Sequence, residues 1–212
     1  YGNNGTIYGA TSTTGQYLNA LNFNGSNNVY IDLGSDPTLD TDGNLTIEAW
    51  VNPAADTLSA VLDMAQEGTT IENYALLIAP GTNTPKFYFQ YNNGSWNQVD
   101  IDNFYALNTW QHIVITSEDG LTTIYKNGTQ ITQQQLAPLI TNLSNTLKIG
   151  RYQVGSQGWF NGSIDELRIY NRSLSADEVQ QHYYSNLYKY DVDKWTFYTN
   201  QSNLSTGNYT YY

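Results

Sequence analysis

An acidic residue heads the apolar face of one segment near the end of the chain, "GSIDELRIYNRSLSADEV" at residues 162–179. Alternate side chains of an extended strand share a face, so we expect Asp165 to lie with Leu167 and Ile169. By the same rule we expect Arg168 on the opposite face. An unpaired carboxylate is too costly to bury. Asp165 therefore needs backbone or hydroxyl hydrogen bonds, a cationic side chain or a metal ion, and the position of Arg168 favours the first and the last.

The other acidic residues do not form a recognisable catalytic pair. Glycoside hydrolysis normally needs two carboxylates that face the scissile bond. A strand of the form E-x-D-x-E, which would direct three acids into one cleft, is absent from the sequence. Glu48 stands alone in "TIEAW", and Asp165 and Glu166 point to opposite faces of their strand. We interpret His112 in "WQHIVIT" as a packed strand residue. A protein without catalysis is therefore expected.

The charge of the chain narrows the classes of partner. Its 212 residues carry 8 basic and 19 acidic side chains, which gives a net charge of −11. Phosphate backbones and anionic membranes bind basic surfaces, so neither nucleic acid nor a membrane surface is an expected partner. Carboxylate and amide oxygens suit Ca²⁺. The lack of cysteine excludes disulfides, thiol catalysis and cysteine metal sites.

The sequence also bears on the compartment. No apolar run reaches the length of a membrane span. The chain opens at Tyr1 without a signal peptide, which we interpret as a mature fragment or an excised module. Asn-x-Ser/Thr sequons recur, although chance alone produces many in a chain rich in Asn, Ser and Thr. The glycosylation candidates are Asn93, Asn127, Asn142, Asn200 and Asn208. This composition favours an extracellular or cell-surface protein.

Apolar and polar residues alternate in many short segments, which is the pattern of half-buried strands. In "LTIEAWV" the alternation places Leu45, Ile47, Ala49 and Val51 on one face. Further strands are predicted in "ALNFNG" and "NVYIDL" and at 59–64, 73–79, 86–91, 97–101, 110–117, 121–126, 147–150 and 163–170. Asn127-Gly128 predicts a hairpin turn. We therefore predict an all-β fold, a two-sheet antiparallel sandwich with one short C-terminal helix.

That helix follows the opening segment. Ser175 and Glu178 form the S-x-x-E pattern of a capping box, and Leu174 and Val179 occupy the hydrophobic-staple positions. The pattern predicts a helix from about Ala176 to Tyr183.

The composition changes after residue 184. In the tail, residues 185–212, "WTFYTN" and "NYTYY" are predicted to pair as a hairpin across "QSNLSTG". An isolated hairpin is only marginally stable in water, so the tail must pack on the sandwich, on a following module or on another chain.

Five blocks carry a family resemblance: "ALNFNGSNNVYIDL", "LTIEAWVNP", "TWQHIVITSEDGLTTIYKNG", "LKIGR" and "FNGSIDELRIYNRSLSADEVQQHY". In this order and at this spacing they resemble laminin G-like domains of the concanavalin A-like jelly-roll class, over roughly residues 18–184. The resemblance implies two stacked antiparallel sheets in residues 1–184. It also implies a binding module of a secreted or surface protein, although the wider group includes glycoside hydrolases. The tail resembles spacer segments of archaeal surface proteins that begin an immunoglobulin-like repeat.

The resemblance implies a partner for Asp165. In this family an early F-[ND]-G strand and the late G-x-I-D-E strand lie close together, and a structural Ca²⁺ commonly sits there. The matching metal ligands in this chain are Asn24, Asn28 and Asp165, and Asn28 stands where relatives often carry an acid. The alternative is that backbone amides satisfy Asp165. A second acidic stretch, "DPTLDTDGN", is interpreted as a turn, because Thr38 and Ala49 replace the acids of an EF-hand.

A carbohydrate site needs exposed aromatic rings with amide or carboxylate neighbours. The candidate ligand-binding residues are Tyr91, Trp96, Tyr152 and Trp159. We therefore expect a Ca²⁺-stabilised, non-catalytic recognition or adhesion module that binds a glycan or a surface protein. The alternative is a structural repeat or filament subunit that self-associates through its C-terminal strand. A glycoside hydrolase-like enzyme is the third possibility.

Overall fold

Two antiparallel sheets of seven strands form the body of the protein, so the predicted sandwich is confirmed. The computed structural model describes residues 4–39, 41, 43–80, 86–92, 95–139, 145–154, 158–191 and 194–199. The strands are β1 (Thr6–Tyr8), β2 (Thr11–Thr14), β3 (Asn19–Asn24), β4 (Tyr30–Gly34), β5 (Leu45–Pro53), β6 (Ser59–Ala65), β7 (Glu72–Ala79), β8 (Lys86–Asn92), β9 (Trp96–Asp102), β10 (Gln111–Glu118), β11 (Leu121–Lys126), β12 (Thr129–Gln135), β13 (Thr146–Ile149), β14 (Asn161–Tyr170), β15 (Ser185–Asp191) and β16 (Lys194–Thr199). A short 3₁₀ turn at Pro37–Leu39 lies in the segment predicted as a turn, and helix α1 spans Ala176–Tyr184.

The strands are not paired in chain order. The first sheet runs β1-β4-β13-β6-β7-β8-β9, and the second runs β12-β11-β10-β5-β14-β3-β2. Their inner faces enclose one apolar core, to which β5 contributes Leu45, Ile47, Ala49 and Val51 as predicted. Apolar burial of this extent is the main stabilising term of a sandwich.

Strand β14 departs from the predicted alternation. Its register with β5 shifts between Asp165 and Arg168, where Glu166 has a φ of 50°. This β-bulge adds one residue to β14 and reverses the alternation beyond it. Ile164 and Ile169 both face the core, while Asp165 pairs with Trp50 on the outer face of the second sheet. The prediction that Asp165 shares a face with Ile169 was therefore wrong.

Helix α1 confirms the predicted cap. The Ser175 hydroxyl accepts from the backbone N–H of Glu178, and the Glu178 carboxylate accepts from the backbone N–H of Ser175. Leu174 and Val179 are buried against Val114 and Tyr125. The helix therefore covers the outer face of the second sheet.

The tail begins where α1 ends. Strand β15 follows the helix at Ser185 and pairs with β16, for example through Leu187 opposite Phe197. The predicted partner "NYTYY" lies outside the described residues. Among those residues, β15 and β16 form a separate two-stranded sheet. A domain boundary at residue 184 stays a prediction.

Two glycines with left-handed backbones offer a matched test of core packing. Gly150 has a φ of 80°, and a Cβ there would come within 2.5 Å of the Phe23 ring. Gly34 has a φ of 70° and no atom within 4 Å of the same position. Both alanine variants carry the left-handed strain of about 1 kcal/mol. We expect Gly150→Ala to lower the free energy of unfolding by about 2 kcal/mol more than Gly34→Ala, because of overpacking. Equal losses in urea denaturation would contradict this packing.

Candidate functional site

Asp165 is satisfied by backbone amides. Its Oδ2 accepts from the N–H of Tyr17 at 2.9 Å, and its Oδ1 accepts from the N–H of Glu166 at 2.9 Å. A Cβ on Gly15 would come within 2.4 Å of Oδ2, so the turn between β2 and β3 approaches the carboxylate closely. Asp165 thus fastens that turn to β14.

The residues predicted to bind Ca²⁺ are not brought together. Asn24 pairs with Asn161, and Asp165 lies four residues further along β14, about 14 Å away at the rise of a strand. Asn24 ends β3 and its Oδ1 accepts from the N–H of Ser26, while Asn28 lies in the turn between β3 and β4; both side chains are exposed. Among the described residues, no group of three or more acidic, histidine or cysteine side chains could hold a metal ion. Asn24 and Asp165 therefore do not fit a shared Ca²⁺ site.

The four predicted ligand-binding aromatics divide into three groups. Tyr91 lies in the core and donates to the backbone oxygen of Ala137, so its prediction as a ligand-binding residue was wrong. Burial raises the pKa of Tyr91 to about 12. Trp96 is exposed on β9, five strands and about 24 Å from β4 across the first sheet. Tyr152 and Trp159 lie together on residues 150–160.

Residues 150–154 and 158–160 form a flap over the outer face of the first sheet. Gln153 attaches the flap: its N–H donates to Asp63 Oδ2 at 2.6 Å, and its side-chain amide donates to the backbone oxygens of Asp63 and Thr146. Tyr152 packs on Ala60, Ala75 and Leu77, the small apolar patch of that face. The flap is therefore a fixed part of the outer surface.

Two side chains of the flap stack with two tyrosines of the neighbouring strands. The rings of Tyr8 and Tyr30 are nearly parallel with centroids 4.7 Å apart. The Arg151 guanidinium lies 5.2 Å from the Tyr30 ring and 4.8 Å from the Trp159 ring. Trp159 faces Arg151 across an isolated β-bridge, which fixes the two side chains together. We call Tyr8, Tyr30, Arg151 and Trp159 the aromatic platform.

An acidic residue joins two cations next to the platform. Glu67 Oε2 accepts from Lys148 Nζ at 2.9 Å, and Glu67 Oε1 pairs with Arg151. Lys148 also lies 5.5 Å from the Tyr30 ring. The hydrogen bond from Lys148 is the largest effect that lowers the pKa of Glu67. The outer face thus combines rings for stacking with charged groups for hydrogen bonding, the two requirements of a sugar site.

Two carboxyls share a buried position beneath the flap. Asp63 and Glu72 are buried close enough for the charge of one to act on the other, and Glu72 Oε2 accepts from Gln90 Nε2 at 3.0 Å. Asp63 Oδ1 and Glu72 Oε1 have no donor among the described residues, so a proton shared by the two carboxyls would satisfy both. Burial raises the pKa of both carboxyls, and the charge of Asp63 raises that of Glu72 further. The pair therefore retains a proton. Glycosidase carboxyls stand at least about 5 Å apart and face substrate, so this pair has the wrong geometry for hydrolysis.

A second buried acid lies on the opposite sheet. Glu48 is not alone: it pairs with His112 and His182 at 3.0 Å each and accepts from Arg168 and Tyr170. Burial acts to raise the pKa of Glu48, but the two histidines outweigh it and lower the pKa to about 2. His112 is fully buried, as predicted for a packed strand residue. This cluster ties α1 to the sheet and leaves no room for substrate.

The glycosylation candidates stay predictions. Asn127 has a φ of 50° and precedes Gly128 at 74°, which confirms the predicted hairpin turn. Its Oδ1 accepts from the N–H of His112. Asn93, Asn142, Asn200 and Asn208 lie outside the described residues.

Sequence reasoning did not find Tyr8, Tyr30, Lys148, Arg151 or Glu67. Alternation placed Tyr30 on an outward face, which was a usable signal. These side chains come into contact because β4 pairs with β1 and β13. The alternation of apolar and polar residues within one strand does not reveal which strands pair.

Comparison with known proteins agrees with this architecture. A laminin G family model, described as the concanavalin A-like lectin/glucanases superfamily, matches residues 24–180. This chain belongs to that family. The resemblance drawn from the five sequence blocks is thereby confirmed.

Three known proteins are similar to this chain. Adhesion G-protein coupled receptor V1 of Danio rerio is 22% identical over 172 residues, which cover 76% of this chain and 3% of the receptor. Domain 4 of AbnA, an extracellular GH43 arabinanase from Geobacillus stearothermophilus solved with arabinotriose, has a TM-score of 0.64 at 21% identity, over 83% of this chain and 86% of that domain. The binding domain of Paraclostridial Mosquitocidal Protein 1 has a TM-score of 0.67 at 17% identity, over 87% of this chain and 49% of that one. These likenesses show the shared fold.

The role of Asp165 can be tested against Ca²⁺. We expect Asp165→Ala to lower the free energy of unfolding by about 3 kcal/mol, because two partly buried backbone N–H groups lose their acceptor. The loss should be equal in Ca²⁺ and in EDTA, and Asn28→Ala should have little effect in either. Denaturant titration measures both. A loss that disappears in EDTA would instead identify Asp165 as a metal ligand.

The Asp63–Glu72 pair predicts a pH dependence. Raised carboxyl pKa values mean that the folded state binds protons more tightly than the unfolded chain, so this stabilisation is present at low pH and lost as pH rises through the folded pKa values. Gln at position 72 can donate to Asp63 without a titrating proton. We expect Glu72→Gln to exceed the wild type in stability by about 2 kcal/mol at pH 8 and by less at pH 5. Exposed Glu118→Gln is the control, and equal pH profiles for wild type and Glu72→Gln would contradict the shared proton.

Proposed function

We propose that this chain is a non-catalytic extracellular recognition module that binds carbohydrate on the aromatic platform. The observation that carries the proposal is the stack of Tyr8, Tyr30, Arg151 and Trp159, with 43% of Tyr8 exposed. A flat ring with one face open to solvent offers the apolar surface on which a sugar ring stacks, and Glu67 supplies acceptors for hydroxyl groups beside it.

Several relatives support a binding role. The receptor from Danio rerio is named for adhesion, and the mosquitocidal protein domain is a binding domain. The arabinanase domain was solved with a bound arabinotriose, although it belongs to a hydrolase. In the described part of this chain, no helix is both long enough and apolar enough to traverse a membrane.

The two buried acid clusters argue against catalysis. Asp63 and Glu72 are covered by the flap, and Glu48 is covered by α1. A hydrolase needs its acid and its nucleophile exposed to the glycosidic bond. Stabilisation by Ca²⁺ stays a prediction of the family resemblance, and any such site would use residues other than the pair Asn24 and Asp165.

Truncation of the platform tests the proposal. A glycan array identifies a ligand for the wild type, and titration calorimetry then compares variants. We expect Tyr8→Ala and Trp159→Ala each to weaken binding about fivefold, because each removes an aromatic contact worth roughly 1 kcal/mol.

Trp96→Ala is the matched control, since Trp96 is an exposed ring on the same sheet outside the platform. Binding that depends on Trp96 and not on Tyr8 or Trp159 would place the site elsewhere. A wild type that binds no glycan would refute the proposed function.

A further inference from the structure

We propose that the ligand of the platform bears a carboxylate, which takes the place of the Glu67 carboxylate between Lys148 and Arg151. This inference rests on the proposed function and narrows its ligand to acidic glycans such as uronic acid polymers. The two cations are buried, whereas the acid that pairs with them is accessible to solvent.

Lys148 and Arg151 are unusual in being buried on an outer face. Their residues are 5% and 8% exposed, although the chain as a whole has few basic side chains and a net charge of −11. Buried cations are stable when they are paired and hydrogen-bonded. The position between them is therefore a binding site for a carboxylate group, and in this structure Glu67 fills it.

Glu67 is held loosely compared with its partners. Its side chain is 45% exposed, and it lies on the turn between β6 and β7, next to Gly68 with a φ of 74°. The Gln66 N–H donates to Ile71 O and the Thr69 N–H to Gln66 O, while the Gly68 N–H donates to Gln153 O of the flap at 3.2 Å. The backbone of the turn is therefore fixed, and the half-exposed Glu67 side chain leaves its partners by rotating about its own bonds.

Arg151 has further capacity for an acceptor. A guanidinium carries five N–H donors in a planar fork that matches a carboxylate. One terminal nitrogen pairs with Glu67, while Arg151 Nε is buried with no hydrogen-bond partner among the described residues. The rings of Tyr30 and Trp159, whose centroids are 6.0 Å apart, both lie against the guanidinium and hold it in place.

The exchange of one carboxylate for another explains the expected selectivity. An acidic ligand that displaces Glu67 keeps both cations paired with a carboxylate, as they are in the free protein. The exchange therefore costs little electrostatic free energy. A neutral ligand that displaced Glu67 would leave two buried cations unpaired. Neutral sugars are therefore confined to stacking on Tyr8, while acidic sugars also reach Lys148 and Arg151.

The test compares each acid with its own neutral form. Oligogalacturonate and oligoglucuronate are titrated into the wild type by calorimetry, each beside its methyl ester, which keeps the rings and removes the charge. We expect at least one acid to bind about tenfold more tightly than its ester, as charge-assisted hydrogen bonds provide. Equal affinity for acid and ester in both series would overturn the inference.

Glu67→Gln removes the internal competitor. This variant should bind the acid about tenfold more tightly than the wild type does, because the vacated cations gain an anionic partner, and it should show no such gain for the ester, which carries no charge. Glu118→Gln makes the same charge change on an exposed site of the other sheet and should alter neither affinity. Circular dichroism checks that each variant is folded, and if Glu67→Gln is not, the comparison of acid with ester in the wild type decides the question.

The outcomes separate this inference from the proposed function. Binding of acid and ester with equal affinity, weakened by Tyr8→Ala, would overturn the carboxylate inference and leave the glycan site in place. Binding that is insensitive to both Tyr8→Ala and Glu67→Gln would overturn both.

Discussion

The hydrogen bonds between Gln153 and Asp63 hold the flap on the first sheet, and the candidate site depends on them. They place Arg151 and Trp159 against Tyr30, which belongs to a different strand. They also close the space above Asp63 and Glu72, so that this pair lies out of reach of a substrate. These hydrogen bonds thus position the aromatic platform. They also keep Asp63 and Glu72 out of contact with solvent and substrate.

Four acidic sites in this protein find their hydrogen-bond partners in different ways. Asp165 accepts backbone N–H groups, Glu48 accepts from two histidines, Glu72 shares a proton with Asp63, and Glu67 pairs with two cations. In the first three cases the acid holds parts of the fold together and is buried. Glu67 alone among these residues has a half-exposed side chain, and this accessibility is the basis of the proposed exchange with an external carboxylate.

The two outer faces of the sandwich have separate roles. Helix α1 and the turn between β2 and β3 cover the second sheet, where Glu48 and Asp165 fix them. The first sheet carries the flap and the aromatic platform. One outer face is thus covered by elements that stabilise the fold, and the other carries the surface proposed to bind a ligand. Glu67 and Arg151 would set the specificity of that surface, which a shared fold does not determine.

The sequence by itself determined what is local. The capping box at Ser175, the turn at Asn127 and the alternation of β5 depend on residues within a few positions of each other, and all three were confirmed. The bulge at Glu166 was decided by the tertiary structure, because it depends on how β14 fits β5, and it moved Asp165 to the other face. The platform was decided in the same way. Tyr8, Tyr30 and Trp159 are remote in the chain, and only strand pairing and the folding of the flap bring their rings into contact.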